Sequence, residues 1–103
     1  MSRVGAPLLV VLAVLGPLAA AAPIARADAN DDAFVAALTA KGIRFGSPEK
    51  AVIAGHEVCA ELDSGKTPTQ VASTVQANSG LDGYHAGYFV GASISAYCPA
   101  HAS

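Results

Sequence analysis

The chain has 103 residues, 52% of them apolar and 14% charged, with a formal net charge of −2. The acidic balance carries no basic patch and repels phosphate backbones, which sets nucleic acid aside as a partner. So short a chain also leaves little room for a catalytic apparatus beside its own core.

The N-terminus has the three parts of a secretion signal. Arg3 supplies positive charge, residues 4–22 form a charge-free apolar run, and Ala25-Arg26-Ala27 fits the small-x-small pattern of a cleavage site. The expected cut falls between Ala27 and Asp28, so that 1–27 is the signal peptide and 28–103 the working domain. A cut after Ala21 or Ala22 competes, and Pro23 weighs against it. An uncleaved anchor is the other reading, since about 19 apolar residues just span a bilayer. Pro17 and Pro23 disfavour a continuous helix there. No Arg-Arg pair precedes the run and no cysteine lies in or just after it, which points to the general secretion route without lipid attachment. The expected location is the extracellular space or the cell envelope.

Removal of the signal leaves 76 residues with four basic and eight acidic side chains, a net charge of −4. A domain of this size gains only about 3–5 kcal/mol from its core and needs a staple. Cys59 and Cys98 are the sole pair. Outside the cytosol they are expected to form a disulfide rather than remain free or bind a metal, since no Cys-x-x-Cys spacing accompanies them.

Helix punctuation then runs through the domain. Asn30-Asp31-Asp32 reads as a cap with two acids at the positive end of a first helix, followed by Phe34, Val35, Ala37 and Leu38 at helical spacing and closed by Lys41-Gly42. Ile43 and Phe45 are expected to fold back as apolar plugs. Ser47-Pro48-Glu49 opens a second helix, whose Ala51, Val52, Gly55, Val58, Cys59 and Leu62 share an arc of roughly 120°. Glu57 and Glu61 point away from it, and Asp63-Ser64-Gly65 ends it. Thr67-Pro68-Thr69-Gln70 is a capping box with Val71, Ala72 and Val75 behind it, and Asn78-Ser79-Gly80 stops that third helix. Leu81 is a further plug. Asp82 caps a last helix that ends at Cys98-Pro99, and its nearly continuous apolar surface predicts a central, largely buried element. No strand periodicity competes. The expected fold is all-α, a small bundle of about four short helices stapled by one disulfide and preceded by the cleaved signal.

The last helix carries Gly83, Gly87, Gly91 and Ser95 at a strict spacing of four. Such a stripe admits a close neighbour, either a helix of the same domain packed near the disulfide or an outside partner or acyl chain. The first is the expectation. The second makes Gly87, Gly91, Tyr84 and Tyr88 a candidate ligand or partner groove. His56, His85 and His101 lack the local spacings of a metal site, so no metal and no cofactor is expected. Glu57 and Glu61 form an i,i+4 carboxylate pair that reads as a solvated face rather than an acid/base couple. No nucleophile elbow, free cysteine or phosphate loop is present, and the chain is read as a non-enzyme.

The segment Asp31-Asp32-Ala33-Phe34-Val35-Ala36-Ala37-Leu38, with Gly42-Ile43, the central cysteine in Ala54-Gly55-His56-Glu57-Val58-Cys59 and the terminal Tyr97-Cys98-Pro99, resembles the DUF732 family of small exported mycobacterial proteins. The resemblance covers about residues 31–99 and implies export, a helical fold and a two-cysteine bridge; it supplies no catalytic residues. The functional expectation is a monomeric interaction module that binds an envelope or extracellular protein, with a small lipid or hydrophobic-ligand carrier as the alternative. The working domain itself is expected to have no transmembrane segment.

Overall fold

The computed structural model describes residues 28–102. The signal segment and its cleavage position at Ala27 lie outside the described residues. Among those described there are four α-helices, a terminal 3-10 turn and no strand. The first, α1, covers 28–40; α2 is Pro48–Asp63, α3 is Pro68–Ser79, α4 is Gly83–Tyr97, and the turn is Pro99–Ala102.

Local chemistry sets most boundaries. At the end of α1 the Gly42 amide donates to the Thr39 carbonyl at 3.0 Å and that of Ile43 to the Leu38 carbonyl at 2.9 Å. This Schellman closure needs the left-handed backbone that Gly42 adopts at φ 75. It also turns Ile43 back beside Leu38 in the core, as expected of a plug. The end of α2 repeats the device through Gly65 and Lys66. Ser47 caps α2 by accepting from the Lys50 amide, with Pro48 in the first turn. Thr67 and Gln70 complete the expected capping box on α3, and Asp82 caps α4 by accepting from the His85 amide.

The start of α1 departs from expectation. The helix already runs at residue 28, so Asn30, Asp31 and Asp32 lie within it and do not cap it. Asp31 has a tertiary role instead. Its Oδ1 accepts a hydrogen bond of 2.6 Å from the Tyr97 hydroxyl, which ties α1 to the last residue of α4.

The core gathers Phe34 and Leu38 of α1, Ile43, Val58 and Leu62 of α2, Val71 of α3, and Phe89, Val90 and Ile94 of α4. Phe34 sits edge-on to Tyr97, with ring centroids 5.0 Å apart, and Phe45 packs 4.8 Å from Phe89. Gly55 lets these layers meet: a Cβ there would lie 2.8 Å from Phe34 Cζ and 3.0 Å from Tyr97 Cε2. The Cys59–Cys98 disulfide joins α2 to the cap of α4 across 39 residues. Ser93, the only buried polar side chain among the described residues, donates to the Phe89 carbonyl at 2.8 Å, so no unsatisfied group is left there.

α4 rests on both α2 and α3. It is buried through Ala86, Phe89, Val90, Ser93 and Ile94, while Gly83, Tyr84, Gly87, Gly91 and Ser95 are exposed. The expectation of a largely buried helix therefore fails on one face. Glycine and alanine raise the apolar count without demanding a covering layer, and no element among the described residues supplies one.

Candidate functional site

α2 and α3 both lean on α4 and touch each other little. Between them lies a half-open cleft of ≈ 270 Å³. Its floor is apolar: Phe45 from the connection before α2, Ala54 and Val58 from α2, Val71 and Val75 from α3, and Phe89 from α4. The α2 rim carries Glu57 and Glu61, and the α3 rim carries Thr74, Asn78 and Ser79. The two carboxylates point away from the core as their spacing predicts, and the structure adds that they overhang an apolar floor.

The carboxylates are not equivalent. Glu61 Oε1 pairs with Lys66 Nζ at 2.7 Å, within the turn that leads to α3. Glu57, one turn earlier, is exposed and forms no hydrogen bond or ion pair among the described residues. His56 does not join them. Its ring lies against that of Tyr97 with centroids 3.9 Å apart, outside the cleft. The other histidines each meet a single carboxylate, His85 Nδ1 with Asp82 at 2.8 Å and His101 Nε2 with Asp63 at 2.8 Å. Among the described residues no three His, Cys, Asp or Glu side chains converge in a metal-holding group.

Among the described residues two titrating groups are displaced. Asp82 is held below its ordinary 3.8, chiefly by the His85 amide and then by the His85 ring. The Tyr97 phenol is raised above its ordinary 10.0 by burial first, then by its bond to Asp31 and the charge of that carboxylate. Through its bond to Asp31 of α1 and its ring contact with His56 of α2, Tyr97 clamps three helices together.

The family model described as "Protein of unknown function (DUF732)" matches residues 30–100, most of the described domain. The chain belongs to the DUF732 family. An uncharacterized protein of Mycobacterium bovis and one of Mycobacterium tuberculosis are each 38% identical to it over 91 residues, 88% of this chain and 80% of theirs. A second uncharacterized protein of Mycobacterium bovis is 39% identical over 75 residues, 73% of this chain and 68% of its own length. No solved structure matches. The DUF732 match takes in both cysteines, the clamp and every residue lining the cleft.

In this DUF732 protein the glycine stripe does not serve close internal packing. A Cβ added at Gly87 or Gly91 would meet nothing within 4 Å. The two glycines line a shallow trough with Pro68, Thr69 and Ala72 of α3 and with Val90 and Ile94 of α4. Tyr84 and Tyr88, the other members of the candidate groove, stand outside it. Lys41 Nζ lies 5.8 and 5.1 Å from their ring centroids and donates to the Tyr84 hydroxyl at 3.3 Å. At i, i+3, i+4 and i+7 the four residues share one arc of α4, and the trough takes in only the two glycines. Sequence spacing had no means of finding the α2–α3 cleft, because its walls are brought together only by packing on α4. No helix among the described residues is long and apolar enough to cross a membrane.

Proposed function

We propose that this DUF732 protein is exported and acts by binding a protein partner, with the α2–α3 cleft as its contact site, and that it has no enzymatic activity. The observation that carries the reading is the cleft itself, an apolar floor beneath an exposed acidic rim, on a domain that leaves Ile53 and Tyr84 exposed elsewhere but gathers no comparable apolar floor around them. Partner contact fits that arrangement, because apolar area supplies affinity and rim charge supplies orientation.

Export is supported by the signal pattern of residues 1–27 and by the disulfide, which persists in oxidising compartments. Non-catalytic action is supported by the separation of His56 from Glu57 and Glu61. A lipid carrier is the less favoured reading. Small-molecule pockets run to about 300–1,000 Å³ and enclose most of their ligand, whereas this cleft is smaller and half open.

The test is intact and native mass spectrometry of the protein recovered from the medium or envelope of a secreting host. The expected species begins at Asp28, lacks two hydrogens relative to its residue sum and carries no adduct. A retained N-terminal segment would overturn signal cleavage, and a stoichiometric lipid adduct would replace the partner-binding reading with the carrier.

A further inference from the structure

Resting on the reading that the α2–α3 cleft is a binding site, we propose that its occupant is an amphipathic helical segment of a protein, with an apolar anchor side chain flanked on one face by lysine or arginine. The floor formed by Phe45, Val58, Val71, Val75 and Phe89 calls for an apolar anchor. The charge of the rim calls for a cation. Among the described residues the Glu57 carboxylate has no partner, Glu61 already has Lys66 at 2.7 Å, and no basic side chain lines the cleft. A basic group arriving above Val58 therefore meets an unpaired carboxylate, while an acidic one meets repulsion. The domain as a whole, with four basic and eight acidic side chains over 28–103, attracts such a partner from a distance.

Backbone accounting selects the helix. A peptide that binds as a β-strand adds to a strand edge that takes its amide and carbonyl groups, and no strand exists among the described residues. A helix satisfies its own backbone and presents only side chains. Glu57 and Glu61 stand one turn apart along α2, the same repeat at which a partner helix would offer successive basic residues. A volume of ≈ 270 Å³ takes side chains, not a second core.

The probe is a synthetic amidated Leu/Lys amphipathic helix of about 14 residues, roughly 21 Å long, titrated into the isotope-labelled secreted protein and followed by amide chemical shifts. Its Leu/Glu counterpart is the control. The Leu/Lys peptide is expected to shift the amides of Val58, Val71, Val75 and Phe89, and the Leu/Glu peptide to leave them in place. Glu57→Gln combined with Glu61→Gln should weaken binding roughly tenfold. Asp32→Asn combined with Glu49→Gln, which removes two acids away from the cleft, should leave binding unchanged; both variants are checked for folding in the same spectra. Equal binding of both peptides at the cleft would overturn the basic partner and leave the binding site standing. Shifts confined to other surfaces, or none with either peptide, would overturn the site as well. Equal weakening by the two double variants would reduce the effect to bulk charge and sink the proposal.

Discussion

The hydroxyl of Tyr97 donates to Asp31 across 66 residues of sequence, at 2.6 Å. Through this bond the last residue of α4 holds the first helix, and the same tyrosine ring lies against His56 and Phe34. One side chain therefore gathers three helices at a point next in sequence to the disulfide. Removing its hydroxyl should be felt by the whole domain. Tyr97→Phe keeps the ring and should lower stability by about 1 kcal/mol, the net worth of a part-buried hydrogen bond. Chemical denaturation measures this directly.

The same bond gives the protein an alkaline limb. Because the folded state raises the Tyr97 phenol above 10.0, its stabilising contribution is complete below that pH and is lost as pH climbs toward the raised folded value. Urea midpoints taken from neutral pH to above pH 10 should fall in the wild type. They should fall less steeply in Tyr97→Phe, and parallel curves would show that the phenol is not the source.

Three glycines should respond to alanine in opposite directions. At Gly55 the new Cβ would press on Phe34 and Tyr97 at 2.8 and 3.0 Å. Overpacking costs about 1–3 kcal/mol, more than the ~0.5–1 kcal/mol gained from helix propensity, so Gly55→Ala destabilises. At Gly87 and Gly91 the space is open, and each alanine should raise stability by about 0.5–1 kcal/mol. Thermal melts of the three variants separate the classes. A loss at Gly87 or Gly91 would mean that the stripe packs against something after all.

Replacing Cys59 and Cys98 with serine should cost about 4 kcal/mol, the chain-entropy value for a loop of 39 residues. That is most of the stability expected of so small a domain. The double variant should be largely unfolded at 37 °C by circular dichroism, and reduction of the wild type should reproduce it.

Asp82 supplies an acid limb. Its carboxyl is held below 3.8 in the folded state, so its contribution is present above the unfolded value and disappears as pH falls through the lower folded one. Asp82→Asn retains a competent cap without that titration. Its stability should decline less than that of the wild type below about pH 4, measured as the midpoint of acid-range denaturation.

What was legible from sequence was mainly local. Ser47, Thr67 with Gln70, and Asp82 act within one turn of themselves, so their caps are readable from spacing. The disulfide followed from there being a single cysteine pair. Asn30-Asp31-Asp32 misled because a cap and a tertiary acceptor use the same residue types, and only the position of Tyr97 decides between them. The stripe of Gly83, Gly87, Gly91 and Ser95 marked one side of a helix correctly but not what lies beside it, a shallow trough against α3 in place of close packing. Gly55, an unremarked member of the α2 arc, turned out to be the glycine that close packing requires. The cleft had no sequence signature, since Glu57 reads the same above an apolar floor as above water.

The long-range ties are unevenly shared. Tyr97, Cys98 and His101 bind the end of the chain to Asp31, Cys59 and Asp63, whereas α3 has one buried residue, Val71, and otherwise rests on half-buried contacts. Amide exchange should accordingly run fastest in α3 among the helices, since little apolar surface opposes its local opening. The helix with the shallowest hold is also one wall of the cleft. If α3 opens first, an arriving side chain larger than the resting gap should displace α3 while α2, α4 and the disulfide stay in register.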